Sequence, residues 1–399
     1  MPVSCLLPTG SIGRCDDAVY DRSVAASFWL EEPFEPLVQA QDSGAVDVAV
    51  VGGGVTGCAC ALALAESGTR VHVYEARTVA SGASGRNGGF ALRGGAMPYH
   101  VARDTLGSDR AAALWRLTER ALDRMEVLAG DAFRRVGSLR LAADEQERDE
   151  LRAEHAALIA DGFAVEWVDE LPEHLAGRYL GALAHPGDGA LHPARWVRRL
   201  ADRAAEAGAE IREHTRVSAL DELDAEHVVI ASDGYPSGLL RELDDLVQPT
   251  RGQVVTTEPL PELLYARPHY ARHGFDYWQQ LPDGRLVAGG RRDATLEAEF
   301  TAEEKTTEPV QSALEQLVRD LVGDLPAITH RWSGIYGMSP DHLPLVGAVP
   351  GRPDVWVARG YSGHGNVLGL ASGELIANAI SGRREPELEL FDPARLLLD

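Results

Sequence analysis

Three glycines at G-x-G-x-x-G spacing, Gly52, Gly54 and Gly57, directly follow the apolar run Val46-Asp47-Val48-Ala49-Val50-Val51. Each has a physical use. Gly52 permits a tight turn, Gly54 lets backbone approach a pyrophosphate, and Gly57 lets a helix pack close to the preceding strand. The amino end of that helix, with Val55 and Thr56 in its first turn, offers free N–H groups and a positive dipole to phosphates. A second apolar strand, Val71 to Tyr74, leads into Glu75 and Ala76, and the Glu75 carboxylate can accept hydrogen bonds from ribose hydroxyls. Strand, glycine turn, helix and acid in this order point to a dinucleotide site. The motif alone does not decide between FAD and NAD.

Two further stretches can reach the same ligand. Ser81-Gly82-Ala83-Ser84-Gly85-Arg86-Asn87-Gly88-Gly89-Phe90 is a loop whose backbone can come close to a bound group. Ser84, Arg86, Asn87, Gly88 and Gly89 are its candidate cofactor contacts. Much later, Gly360-Tyr361-Ser362-Gly363-His364-Gly365-Asn366 precedes a helix expected from about Val367 to Ile380. It is a second glycine turn at a helix amino end, with Gly360, Gly363, His364, Gly365, Asn366 and Val367 as candidate contacts. Two electropositive pockets suit a long dinucleotide such as FAD better than NAD, one for the pyrophosphate and one for the flavin ring. Gly369 and Gly373, four apart on the second helix, allow close packing against another backbone.

The elements that position these residues follow from periodicity. Leu114, Leu117, Ala121, Met125 and Leu128 form one face of a helix from about 109 to 129. A strand near Val136 to Ala142 and a helix over 144–161 follow. Leu191-His192-Pro193 opens a helix that Gly208 ends. Strands are expected at Ala209 to Arg212 and His227 to Ala231, with Val217, in a short strand between, as a backbone contact to adenine. Ala231 is a further cofactor candidate. Runs at 253–257, 275–280 and 285–289, with a Pro282-Asp283-Gly284 turn, indicate an antiparallel sheet on which a substrate could lie. A helix with Val310, Leu314, Leu317 and Leu321 on one face comes next. In the arm over residues 1–45, Phe28, Trp29 and Phe34 are expected to pack on the body.

Composition excludes some classes. A chain of 399 residues is long enough for about two domains. Its net charge of -23 argues against nucleic acid or an anionic membrane as partner. Lys305 is the only lysine, which removes any mechanism needing a second. Cys5, Cys15, Cys58 and Cys60 form no zinc pattern, so no metal is expected, and Cys58 and Cys60 read as core thiols. No run approaches the ~20 apolar residues of a membrane span. The expected location is the cytoplasm, and the oligomeric state is open.

The pattern resembles the D-amino-acid oxidase superfamily of FAD-dependent oxidoreductases over about residues 25 to 385. The residues carrying the resemblance are Val50 to Glu75, Ser84-Gly85-Arg86-Asn87-Gly88-Gly89, Leu191-His192-Pro193-Ala194 and Gly360-Tyr361-Ser362-Gly363-His364-Gly365. Within it the chain is most similar to the gamma-glutamylputrescine oxidoreductase group, alongside sarcosine and glycine oxidases, through Trp332, Gly334, Pro344, Val346 and Gly347. The implied fold is α/β (α+β overall), a discontinuous Rossmann-like FAD-binding domain with an inserted antiparallel-sheet substrate domain. The expected boundaries are an arm at 1–45, FAD-binding segments at 46–100, 182–245 and 331–385, substrate-domain segments at 101–181 and 246–330, and a tail at 386–399.

Departures from the family pattern bear on mechanism. Gly334 stands where sarcosine oxidases bond a cysteine to flavin, which implies non-covalent FAD with Gly334 near it. Tyr336 stands where an arginine clamps the substrate carboxylate in glycine and D-amino-acid oxidases, which weakens the case for a simple alpha-amino acid. Val287 matches the oxygen-activating lysine of sarcosine oxidases, leaving Arg86, Arg291 and His364 as substitutes. The resemblance implies hydride transfer from a carbon bearing a neutral amine to flavin N5, hydrolysis of the imine, and oxygen or another electron acceptor. The amino end of the Val367 helix would stabilise negative charge on the reduced ring, and His364 could add a proton or positive charge. Tyr277, Gln279 and Tyr336 could line the substrate face, and His364, Arg86, Tyr336 and Tyr277 are the catalytic candidates. Alternatives are a hydroxyl substrate, an acceptor other than oxygen, an NAD-dependent dehydrogenase, and a non-catalytic flavin-binding subunit.

Overall fold

The computed structural model describes residues 27–35, 37 and 44–397. Cys5 and Cys15, with the rest of the arm up to residue 26, residues 36 and 38–43, and residues 398 and 399 of the tail, lie outside the described residues. Val46–Val51 is the centre of a six-stranded sheet ordered Leu345–Val349, Arg352–Arg359, Ala225–Ile230, Val46–Val51, Val71–Tyr74, Glu210–Arg212. The last five run parallel, and Leu345–Val349 is an antiparallel edge. A parallel sheet covered on both faces needs continuous apolar strands, and Val48, Ala49 and Val50 are wholly buried.

Helix Val55–Glu66 has no charged side chain before Glu66 and is buried on nearly every side. Its small residues admit two neighbouring helices, Pro193–Glu206 and Gly365–Ile380. The second contact is backbone to backbone. A Cβ at Gly373 would lie 2.5 Å from the Thr56 carbonyl oxygen and 2.7 Å from the Cys60 nitrogen. Cys58 and Cys60 are buried free thiols of this helix, and burial pushes Cys60 up to about 12.

Val217 is not in a strand. The backbone just before it bonds to the chain beyond Tyr74: His214 N–H donates to the Arg77 carbonyl (2.7 Å) and Thr215 N–H to the Glu75 carbonyl (2.8 Å). Those contacts end the ladder at Arg212.

The second sheet has eight strands, ordered Ile328–Met338, Gln248–Pro259, Arg285–Gly290, Asp276–Gln280, His269–Ala271, Ser138–Leu141, Ala182–His185, Glu166–Val168. Its pairings are antiparallel except that of His269–Ala271 with Ser138–Leu141. Residues 182–185 and 331–338, expected with the nucleotide-binding segments, are strands of this sheet instead. Period-two alternation explains the second case. Arg331 points to Gln311 and Glu315 on helix Glu308–Val322, whereas Trp332, Gly334 and Tyr336 point to Arg86 and the space between the sheets. Helix Glu308–Val322 covers the sheet's back with Val310, Leu314, Leu317 and Leu321 against Val255, Trp278, Leu286 and Ala288.

From the arm, Trp29 is fully buried, Phe28 meets it edge-on, and Phe34 lies 5.0 Å beneath the Arg198 guanidinium. No helix among the described residues is long and apolar enough to cross a membrane.

The tight helix contact is testable by overpacking. Gly373→Ala should cost about 1–3 kcal/mol, whereas Gly187→Ala, where a Cβ meets nothing within 4 Å, should stay within about 0.5 kcal/mol of the parent. Urea unfolding midpoints measure both.

Candidate active site

Between the two sheets lies a cavity of about 710 Å³, into which both glycine turns open. Its wall includes Gly52, Gly54, Val55, Thr56, Glu75, Ala76, Ser84, Arg86, Asn87, Gly88, Val217, Ala231, Gly334, Gly363, His364, Gly365, Asn366 and Val367. Three predicted contacts are not on the wall. Gly57 packs on the strand, where a Cβ would lie 1.9 Å from the Gly52 carbonyl oxygen. Gly89, at φ 77°, is hemmed in by Gln279 Nε2 and the Leu191 carbonyl, each 2.3 Å from a Cβ. Gly360 donates its N–H to Asp233 (2.9 Å). These glycines shape the site from behind.

The first turn is held in a cradle. Glu75 accepts hydrogen bonds from Gly53 N–H (2.7 Å) and Arg77 N–H (2.8 Å), one on each oxygen, and each oxygen keeps a lone pair for ribose hydroxyls. Ser84 Oγ accepts from Val55 N–H at 3.1 Å, and a Cβ on Gly54 would approach that Oγ to 2.9 Å. Thr56 Oγ1 and the Tyr361 hydroxyl, 3.0 Å apart, join the first helix to the second glycine turn. Helices Val55–Glu66 and Gly365–Ile380 thus present their positive ends to one cavity. A side-chain-free turn, an acid beside it and a second helix end further along fit FAD.

Several candidates are committed elsewhere. Arg86 donates from Nε to the Ser81 carbonyl (2.7 Å) and from a terminal nitrogen to the Ser333 carbonyl (3.2 Å), so its guanidinium ties the loop to the Ile328–Met338 strand. Gly334 lies against it, since a Cβ there would come within 2.9 Å of Arg86 Cβ. Asn87 and Asn366 bond each other through their side-chain amides at 3.1 and 3.2 Å. Arg291 is off the wall, paired with Asp276 at 2.7 and 2.9 Å. Lys305 is exposed and pairs with Glu303. Gln279 is not on the substrate face, because it donates to the Gly88 and Gly89 carbonyls at 2.6 and 2.9 Å. Tyr277 and Tyr336 do line the cavity.

His364 lines the wall as a neutral ring. Burial, with the charge of Arg140 second, lowers its pKa to about 4, so it adds no positive charge at neutral pH.

Motif reading missed Asp233, Tyr270 and Arg292, all on the wall. Asp233, at φ 44°, accepts from Gly337 N–H (3.1 Å), Gly360 N–H (2.9 Å) and Tyr361 N–H (3.4 Å), pinning the second glycine turn to the neighbouring strand. The only local signal is Ser232-Asp233-Gly234, a turn-forming run at a strand end. Nothing local marks Tyr270 or Arg292.

Two outcomes follow. Gly54→Val should fold, judged by circular dichroism, yet purify without the visible absorption of bound flavin. The folded state holds His364 neutral down to about pH 4, whereas the unfolded chain protonates it near 6.5. Stability should therefore fall as pH drops from about 6.5 through 4. His364→Gln should lessen that loss, read as urea midpoints at pH 7 and pH 5.

A family model described as FAD dependent oxidoreductase matches residues 47–379. The chain is 28% identical over 390 residues to gamma-glutamylputrescine oxidoreductase of Escherichia coli, covering 90% of this chain and 89% of that protein. It is 27% identical over 395 residues to probable oxidoreductase OrdL of Haemophilus influenzae, covering 90% and 87%. The crystal structure of glycine oxidase from Geobacillus kaustophilus matches with a TM-score of 0.72 at 26% identity, covering 88% of this chain and 97% of that one. No cysteine lines the cavity among the described residues, and FAD is held here without a covalent bond. The family match runs from the first glycine-turn strand through the second glycine-capped helix, the two elements that open on this cavity, and the chain belongs to the DAO family of FAD dependent oxidoreductases.

Proposed function

We propose that this enzyme oxidises the CH–NH bond of an amine or amino-acid derivative, with oxygen as the final acceptor. Bound FAD supplies a hydride acceptor. As the substrate's C–H electrons leave as hydride, the nitrogen lone pair forms the C=N bond, and water hydrolyses the imine.

The observation that carries this is the absence of a strong base among the catalytic candidates. Burial raises the pKa of the Tyr277 and Tyr336 phenols, so they stay protonated and act as hydrogen-bond donors. His364, with its pKa near 4, is a weak base. An alcohol must lose its O–H proton as hydride departs, and that calls for a base tuned near the working pH. A neutral amine has no such need. The relatives named gamma-glutamylputrescine oxidoreductase and glycine oxidase are named for molecules that carry a primary amine.

The protein's own part is electrostatic and steric. The leading N–H groups of helix Gly365–Ile380 favour negative charge at the Gly363 end of the cavity. Arg86 and Trp332 fix the loop facing it, the indole N–H donating to the Arg86 carbonyl at 2.8 Å. One observation favours a second acceptor class: Val287 is buried and apolar, and Lys305, exposed and paired with Glu303, is not on the cavity wall. A non-oxygen acceptor is therefore the rival reading.

Anaerobic titration separates these. Amines should bleach the flavin band and hydroxy acids should leave it unchanged, with peroxide appearing on readmission of air. Bleaching by hydroxy acids alone would overturn the amine assignment. Bleaching by amines without peroxide would replace oxygen with another acceptor.

A further inference from the structure

Residues 300–306 connect the short helical segment Arg292–Glu299 to helix Glu308–Val322 without regular structure of their own. Both ends of this loop are pinned at one place. Gln253, wholly buried on strand Gln248–Pro259, donates from Nε2 to Glu299 Oε2 (3.1 Å) and to Thr307 Oγ1 (2.8 Å). Its Oε1 accepts from Thr307 N–H at 2.9 Å. Arg251, two residues earlier, holds both Glu299 oxygens at 2.8 and 2.9 Å in a buried pair. A loop with fastened ends and an irregular body can swing as one piece.

The tip is held by one side chain. Glu304 accepts from a terminal nitrogen of Arg77 on both oxygens, at 2.8 and 2.9 Å, and from the Tyr235 hydroxyl. A terminal nitrogen of Arg86 lies 3.9 Å away. Burial works against the Glu304 charge, but Arg77, Arg86 and Tyr235 outweigh it and hold the carboxyl below its usual range. The Arg77 guanidinium also lies 5.2 Å over the Tyr235 ring. Gly82 leaves room for both, since a Cβ there would meet the Tyr235 ring at 3.3 Å and Arg77 at 3.7 Å. Among the described residues, Glu304 alone ties this loop to the nucleotide-binding side by a hydrogen bond or ion pair. Around it, Phe300, Ala302, Glu303 and Lys305 are exposed.

Arg77 stands two residues past Glu75, the acid of the first glycine turn, and Arg77, Gly82, Tyr235, Ala302 and Glu304 are all on the cavity wall. The clasp therefore joins the two sides of the cavity where the first glycine turn opens. We propose that loop 300–306 is a latch over FAD, whose opening at Glu304 sets how fast FAD enters and leaves. Every partner in the clasp is a protein group, so the latch closes over the loaded and the unloaded cavity alike. Opening costs the same in each case. It therefore slows loading and release equally and leaves affinity untouched. The base at Gln253 and Glu299 stays in place while the tip opens locally. This holds whichever substrate the enzyme oxidises.

The test compares Glu304→Gln with the parent, each flavin-loaded and flavin-stripped. Release is read as the change in flavin fluorescence when loaded enzyme is diluted, and loading as the change when FAD is added to stripped enzyme. Both rates should rise by the same factor, on the order of 10–100-fold, the range of a lost charged hydrogen bond. Their ratio, the dissociation constant of FAD, should not change. A rise in release alone would mean that the clasp contributes to affinity, and would overturn the latch. No change in either rate would overturn it as well.

Tyr235→Phe keeps the ring beneath Arg77 and removes one donor, so it should move both rates in the same direction by a smaller factor. It carries the test alone if circular dichroism shows that Glu304→Gln does not fold. Lys305→Gln, which removes only the exposed pair with Glu303, should leave both rates at the parent values. Exchange as fast in Lys305→Gln as in Glu304→Gln would place the effect in general loosening of the loop and overturn the assignment to Glu304.

Discussion

Helices Val55–Glu66 and Gly365–Ile380 meet where the second can carry no side chain, at Gly369 and Gly373, and the rest of the site depends on that contact. A Cβ at Gly369 would stand 2.8 Å from Thr56 Oγ1, and one at Gly373 would strike the Thr56 carbonyl. The hydrogen bond between Thr56 and Tyr361 sets the two helices in register. Two positive helix ends brought together repel one another, and an anionic ligand between them relieves that repulsion. In a protein of net charge -23, backbone dipoles thus make a locally electropositive cleft.

The loop between Ser81 and Phe90 is fixed by a complementary device, the capture of successive carbonyls. Trp332 holds the carbonyl of Arg86 and Trp29 that of Asn87, both at 2.8 Å, and Gln279 holds those of Gly88 and Gly89. The captors come from three distant parts of the chain. A glycine-rich loop has high backbone entropy, and these donors hold it in one course along the cavity wall.

Much of this was legible in the sequence because it is local. The glycine spacing and the helix start at Val55 follow from neighbouring residues, and the second helix begins at Gly365, two residues before the expected Val367. What was not legible depends on partners far along the chain. Val217 looked like strand, but the preceding backbone is bonded beyond Tyr74. Arg86 and Arg291 looked like free cations, but a carbonyl pair and Asp276 hold them. Arg292 sits beside Arg291 with nothing local to distinguish them. Only the register of the eight-stranded sheet and the position of Asp276 determine which one faces the cavity.

The order of the six-stranded sheet has a consequence for how the chain folds. Its central strand, Val46–Val51, lies between Val71–Tyr74 and Ala225–Ile230, and Ala225–Ile230 in turn pairs with Arg352–Arg359. During synthesis from the amino end, the glycine-turn helix emerges some three hundred residues before the helix that covers it. Until then its apolar, small-residue face has no permanent neighbour on that side. Such long-range closure makes for slow folding and exposes apolar surface along the way. The same glycine contact that brings both helix ends to one cleft therefore makes acquisition of a competent site a late event in the life of the nascent chain.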